Sequence, residues 1–122
     1  MRGYFSFQAG SRKVEMLFNT WAFRKFCEKR GMSLSELLTL LGGSIGLHDL
    51  VDLMLAGTES FYMKHGKAID FTEYDVTEWI DEAGLFADGQ LMVGFGAAIS
   101  SWINPQLPPA KEEVDSDEKK SN

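Results

Sequence analysis

The sequence predicts a mainly helical (α+β) fold: an N-terminal β-hairpin, about five helices and a disordered C-terminal tail. Three observations lead to this prediction. Residues 4–18 have the composition of strands, apolar residues then recur at three- and four-residue spacing, and the last residues are charged and proline-rich. The 122 residues, 44% of them hydrophobic, suffice for one domain with its own core. We expect a single domain over residues 1–105 and a disordered acidic tail over 106–122.

The hairpin is predicted from two short segments joined by a turn. Residues 4–8 alternate Phe5 and Phe7 with polar neighbours, residues 12–18 form the second segment, and Gly10 lies in the link. An isolated hairpin is only marginally stable. We therefore expect it to pack on the helices or to pair with a second copy through an exposed strand edge.

The first two helices are predicted by their start signals. Asn19 and Thr20 can cap a helix, and Ser33 with Glu36 forms a capping box. These signals place helices over residues 21–30 and 34–41.

The three later helices are predicted from apolar spacing and from their ends. Asp49 in a first turn and His65 in a last turn suit the helix dipole, Thr72 with Asp75 caps the next helix, and Asp88 can cap the last. These helices are expected over residues 47–65, between Thr72 and Gly84, and over residues 89–103.

The net charge of −6 is unevenly distributed. Residues 1–30 carry +5, residues 31–109 carry −9, and residues 110–122 carry −2. A basic start and an acidic middle can attract each other within the fold or between copies. They can equally be solvated faces.

No residue pattern points to catalysis, a cofactor or a metal. The single Cys27 excludes a disulfide framework, and His48 and His65 are about 25 Å apart on one predicted helix. The acidic stretch 70–81 lacks the glycine and the terminal glutamate of an EF-hand loop. We therefore expect a protein that is not an enzyme. Without an export signal or a membrane span, we expect it in the cytoplasm.

A helix-turn-helix over residues 34–65 is an alternative interpretation that would imply a DNA-binding regulator. Its recognition helix would begin with Asp49 and Asp52, and carboxylates repel phosphates. We therefore expect no nucleic-acid partner.

The last predicted helix carries no charge after Asp88. Such a helix is either wrapped by its own domain or partly exposed for a partner. Trp102 and Ile103, just before the break at Pro105, are the first residues to test, because tryptophan often anchors interfaces. The candidate partner-binding residues are Leu91, Met92, Phe95, Ile99, Trp102 and Ile103.

Four segments carry a family resemblance: residues 2–5 (Arg-Gly-Tyr-Phe), 18–28, 47–53 and 75–82. Their phrases and layout resemble the tail assembly chaperones of long-tailed phages, including the related tail proteins of gene transfer agents. The resemblance implies a small, acidic, largely helical protein of the host cytoplasm. It would bind the tape-measure protein, and sometimes the tail tube subunit, and be absent from the mature virion.

The resemblance also implies a longer product made by ribosomal frameshifting, for which the codons of Lys119-Lys120 could supply the slip site. Paired lysines are equally ordinary in a solvated tail. The alternatives to a chaperone are the DNA-binding regulator and a structural tail completion or connector protein.

Overall fold

The computed structural model describes residues 2–86 and 90–106. Over these residues the fold is an antiparallel β-hairpin followed by five α-helices, as the sequence predicts. The predicted cap Asp88 and residues 107–122 of the predicted tail lie outside the described residues. The elements are β1 (Tyr4–Ala9), β2 (Arg12–Leu17), α1 (Thr20–Arg30), α2 (Leu34–Gly42), α3 (Leu47–Lys64), α4 (Glu73–Ala83) and α5 (Gln90–Ile103), with a 3₁₀ turn at Asn104–Gln106.

The hairpin forms one wall of the core. Its strands pair from Tyr4 opposite Leu17 to Ala9 opposite Arg12. β1 packs against α4 and α5, and β2 packs against α3. The expectation that the hairpin packs on helices is confirmed, and its pairing with a second copy stays a prediction.

The central helix is α3, which has ten buried residues. Beside it Phe18 is fully buried, with its ring edge-on to that of Phe95 at 5.4 Å between centroids. A Cβ at Gly57 would lie 2.7 Å from the ring of Phe18. Glycine at this position therefore lets Phe18 pack directly on the backbone of α3.

Local capping explains where the helices begin. The side chain of Asn19 accepts a hydrogen bond of 3.0 Å from the N–H three residues later. The predicted capping box at Ser33 is present, and the predicted cap at Thr72 is also a capping box: the N–H of Ser33 donates to Glu36, and that of Thr72 donates to Asp75, each at 2.8 Å. Each cap satisfies an N–H group that the first helical turn leaves without a partner.

The basic start of the chain meets its acidic middle inside the fold. The ammonium of Lys29 lies 2.8 Å from both Asp52 and Glu73, and Arg12 lies 3.9 Å from Asp70. Attraction within the fold, one of the possibilities left by the sequence, therefore operates for these residues. Attraction between copies stays a prediction.

The helices α2 and α3 are bent by 116° relative to each other. Among the helices described, none is by itself long and apolar enough to cross a membrane. Taken together, this bent pair has sufficient length and apolar composition, and nothing more than length and composition points to a span.

Candidate partner-binding groove

The structure divides the six residues singled out on α5. Leu91, Phe95 and Ile99 are only 2%, 2% and 5% exposed and belong to the hydrophobic core. These three side chains are therefore not accessible in this fold, and their part in partner binding stays a prediction. The other three, which are partly buried at the edge of the core, are Met92, Trp102 and Ile103.

Close packing on the hairpin explains why α5 turns its bulky face inward. A Cβ at Gly94 would overlap the ring of Phe5, so glycine allows β1 to approach the helix closely. On the same side, Phe95 meets the ring of Phe18. Leu91, Phe95 and Ile99 therefore serve the core, while Trp102 in the C-terminal turn of α5 is one of its partly buried residues.

An open apolar groove lies where α1, α2 and α5 meet. We call it the Trp102 groove, and it encloses about 230 Å³. Its walls come from α1, the loop after it, the first turn of α2 and the last turn of α5. The apolar lining residues are Phe23, Cys27, Met32, Leu34, Leu37 and Trp102, and the lining is completed by Thr20 and Arg24.

A tight connection brings α2 beside α1. Gly31 adopts a left-handed conformation (φ 60°), and the N–H of Met32 donates to the carbonyl of Cys27 at 3.0 Å. Ser33 then caps α2 at once. Leu34, the first residue of α2, is consequently held at the mouth of the groove, where it is 64% exposed.

The opposite wall is fixed by contacts of α5 with the residue that precedes β1 and with α1. The N–H of Gly3 donates to Ser101 Oγ at 2.9 Å, and Ser101 Oγ donates to the carbonyl of Ala98 at 2.9 Å. The ring of Trp102 packs on that of Phe23 with 4.4 Å between centroids. These contacts therefore hold the side chain of Trp102 against α1.

A second recess adjoins the Trp102 groove, and we call it the cationic compartment. It encloses about 370 Å³ and shares Thr20 and Trp102 with the groove. Arg2 and Lys64 supply its charge. The remaining lining residues are Leu17, Asn19 and Gln106.

The two recesses together have an electropositive lining. Arg2, Arg24 and Lys64 line them, and no carboxylate does so in the part of the chain that the structure describes. Glu28 lies 3.5 Å from Arg24, but both side chains are largely exposed, so that this pair is weak. The site therefore combines apolar contact with positive charge.

A different recess lies between α1, α3 and α4, and we call it the ion-paired cleft. It encloses about 550 Å³. Lys29 bridges Asp52 on α3 and Glu73 on α4 across it. Its lining residues are Lys29, Leu47, His48, Val51, Asp52, Glu73 and Thr77.

Beside this cleft, Arg30 binds Asp49 and Asp52. Burial acts to raise the pKa of Asp49, but hydrogen bonds from the Gly46 N–H and the Arg30 guanidinium outweigh it and hold the pKa below its usual value. Asp49 is therefore a charged, buried carboxylate whose partners join α1 to the start of α3.

The remaining titratable groups include two histidines and the single cysteine. Over residues 2–86 and 90–106, no three His, Cys, Asp or Glu side chains are arranged to hold a metal ion. His48 is exposed, and the ring of His65 packs on Phe61 at 4.2 Å. Burial, reinforced by the charge of Glu36, raises the pKa of the Cys27 thiol, so this group lines the groove in its neutral form. That the chain is not an enzyme and needs no cofactor stays a prediction.

Sequence reasoning identified Trp102 but missed the residues facing it. One available signal was α2, which has apolar residues at Leu34, Leu37 and Leu38, more than the burial of one narrow face requires. No local signal joins Arg2 to Lys64, because they are far apart in the sequence.

Comparison with known proteins finds no relative. No protein-family model, curated protein or solved structure matches the chain. The function proposed for it therefore depends on the groove, on the charges around it and on the resemblance of its sequence segments.

Proposed function

We propose that the protein is a tail assembly chaperone of a long-tailed phage or prophage, which binds the tape-measure protein during tail assembly. The observation that carries the proposal is the open apolar Trp102 groove between helices. Grooves of this kind bind the apolar face of an amphipathic helix. A tape-measure protein is a long helical chain that needs cover before the tail tube polymerises around it.

The resemblance of residues 2–5, 18–28, 47–53 and 75–82 to this family supports the proposal. So do the acidic charge and the largely helical fold. The tail tube subunit would be a second partner. Acting before the tube closes, the chaperone would work in the host cytoplasm and be absent from mature virions, which mass spectrometry of purified particles would test.

Co-expression with the tape-measure protein of the same phage or prophage tests the function directly. We expect the tape-measure protein to become more soluble and to co-purify with the chain. If neither its solubility nor its co-purification changes, the proposal is wrong.

A matched pair of variants tests the surface. Leu34→Ser alters the groove, whereas Leu47→Ser alters the ion-paired cleft; each leucine is the first residue of its helix, and they are 64% and 63% exposed. We expect Leu34→Ser to reduce the co-purified tape-measure protein at least fivefold, and Leu47→Ser to leave it unchanged. Equal effects of the two variants would remove the groove from the proposal.

The two alternatives have less support. In a DNA-binding regulator α3 would be the recognition helix, but ten of its residues are buried, and Arg30 occupies Asp49 and Asp52 at its start. A gel shift that weakens with salt would favour the regulator. A structural completion or connector protein would instead remain in purified virions.

A further inference from the structure

We infer that the partner segment bound here is an acidic amphipathic helix, with its apolar side chains in the Trp102 groove and its carboxylates beside the cationic compartment. The inference rests on the proposed function, because it names the chemistry of that same partner. It also states which end of the site receives which part of the segment.

The groove itself accounts for the apolar part of the segment. Leu34 is mostly exposed at its mouth, while Met32 and Cys27 are only partly buried. A single exposed leucine would need no explanation. A contiguous apolar recess with a tryptophan held in its wall has the composition of an interface centre.

The adjoining recesses suit a helix in particular. The Trp102 groove and the cationic compartment meet at Thr20 and Trp102. Side chains three or four positions apart on a helix are about 5–6 Å apart and face the same way. An apolar pair at this spacing can enter the groove, while charged residues on the next turn reach the compartment.

The acidic character follows from what the cations contact. Within the described ranges, Arg2 and Lys64 take part in no salt bridge, whereas Lys29 and Arg30 are fully engaged. The chain as a whole carries −6, so an acidic segment is repelled elsewhere and attracted locally here. A basic segment would meet like charges at this end of the site.

Two synthetic helical peptides serve as probes, because they isolate charge from hydrophobicity. Both are alanine-based, with leucines on one face. Charged residues on the other faces are glutamates in the acidic peptide and lysines in the basic peptide. Fluorescence anisotropy with the full chain measures their affinities at low and physiological salt. We expect at least tenfold tighter binding of the acidic peptide at low salt, and equal affinities would overturn the inference.

Variants locate the binding. We expect Leu34→Ser to weaken the acidic peptide at least tenfold and Leu47→Ser to leave it unchanged. The double variant Arg2→Ser/Lys64→Ser should lose at least fivefold and most of the salt dependence. Lys13→Ser/Lys67→Ser removes the same charge outside both recesses, so a loss as large with this control would overturn the inference.

Two other occupants would also overturn it. Residues 107–122 contain five carboxylates, and a full chain with these changed to amides would bind the acidic peptide more than tenfold tighter if the tail occupied the site. A second copy in the groove would appear in sedimentation as a dimer that Leu34→Ser abolishes.

If co-expression rescues the tape-measure protein but the acidic peptide is not preferred, the inference fails and the proposed function stands. If the peptide is preferred without rescue, the proposed function fails and the inference about the groove stands.

Discussion

The ion-paired cleft differs in its use of charge from the Trp102 groove with its adjoining cationic compartment. In the cleft, Lys29 is held at 2.8 Å by Asp52 and Glu73. In the groove and its cationic compartment, Arg2 and Lys64 face a lining without carboxylates in the described part of the chain. In the cleft the charges join helices to one another, whereas in the cationic compartment Arg2 and Lys64 take part in no salt bridge among the described residues.

This difference teaches that net charge is a poor guide to a partner. The total of −6 suggests a chain that avoids acidic molecules. However, no described carboxylate lines the groove or the cationic compartment, and Asp49, Asp52 and Glu73 are paired with cations inside the fold. Recognition depends on the local lining of a recess, where distances are short and solvent screening is weaker.

The largest effect should come from breaking the ion pairs of Arg30 beside the cleft. Arg30→Ala leaves Asp49 buried without its guanidinium partner, and we expect a loss of about 3 kcal/mol in the free energy of unfolding. Urea denaturation of the full chain measures it. The control is Arg24→Ala, whose pair with Glu28 is exposed and should matter by less than about 0.5 kcal/mol. Similar losses in both variants would contradict the contrast between the two regions.

A smaller loss is expected from the groove. Trp102→Ala removes a partly buried ring that packs on Phe23, and about 2 kcal/mol should be lost, less than for a fully buried tryptophan. Trp102→Phe is the control, because it keeps an aromatic ring over α1. It should lose less than half of the free energy of unfolding that Trp102→Ala loses. Equal losses would show that ring contact with Phe23 is not what stabilises this turn.

The elements of the fold were predictable because their signals are local. The strands over 4–8 and 12–18 and the helix over 34–41 are confirmed to within one residue at each end. Capping at Asn19, Ser33 and Thr72 needs only neighbours within three residues, so the sequence contains the whole interaction.

The site was predictable only in part because its contacts are distant in sequence. Beside the groove, Gly3 meets Ser101 across 98 positions. The ion-paired cleft shows the same pattern, with Lys29 meeting Glu73 across 44. The orientation of α5 was ambiguous for another reason, since apolar or small residues surround it on every side. The size of its residues was the missed signal: the outer face carries Val93, Gly96, Ala97 and Ser100, all exposed.

The contribution of Asp49 to stability should depend on pH. We expect this effect to be smaller than the losses caused by Arg30→Ala and Trp102→Ala. The folded pKa of Asp49 is held below its unfolded value of about 3.9. Its contribution is therefore present above that value and lost as the pH falls through the lower folded pKa. We expect Asp49→Asn to be less stable than the parent chain at pH 7, and the difference between the two stabilities to shrink as the pH falls below the unfolded pKa. Parallel curves would contradict the role assigned to this carboxylate.

The smallest effect is expected at Glu59, which lies on α3 and faces α1. Its substitution should raise the free energy of unfolding, whereas the substitutions above lower it. Burial raises the pKa of this carboxyl, although the charges of Lys25 and Lys29 oppose the shift. A raised carboxyl pKa favours the neutral form in the fold, so its stabilising contribution is lost as the pH rises through the folded pKa. Glu59→Gln should therefore stabilise the chain at pH 7, by at most about 0.5 kcal/mol because solvent screens a partly exposed group. Urea denaturation at pH 4 and pH 7 measures this, with Glu28→Gln as the exposed control. Destabilisation by Glu59→Gln at pH 7 would contradict this prediction. It would mean that Glu59 is stabilised as an ion-pair partner of Lys25 and Lys29 on α1.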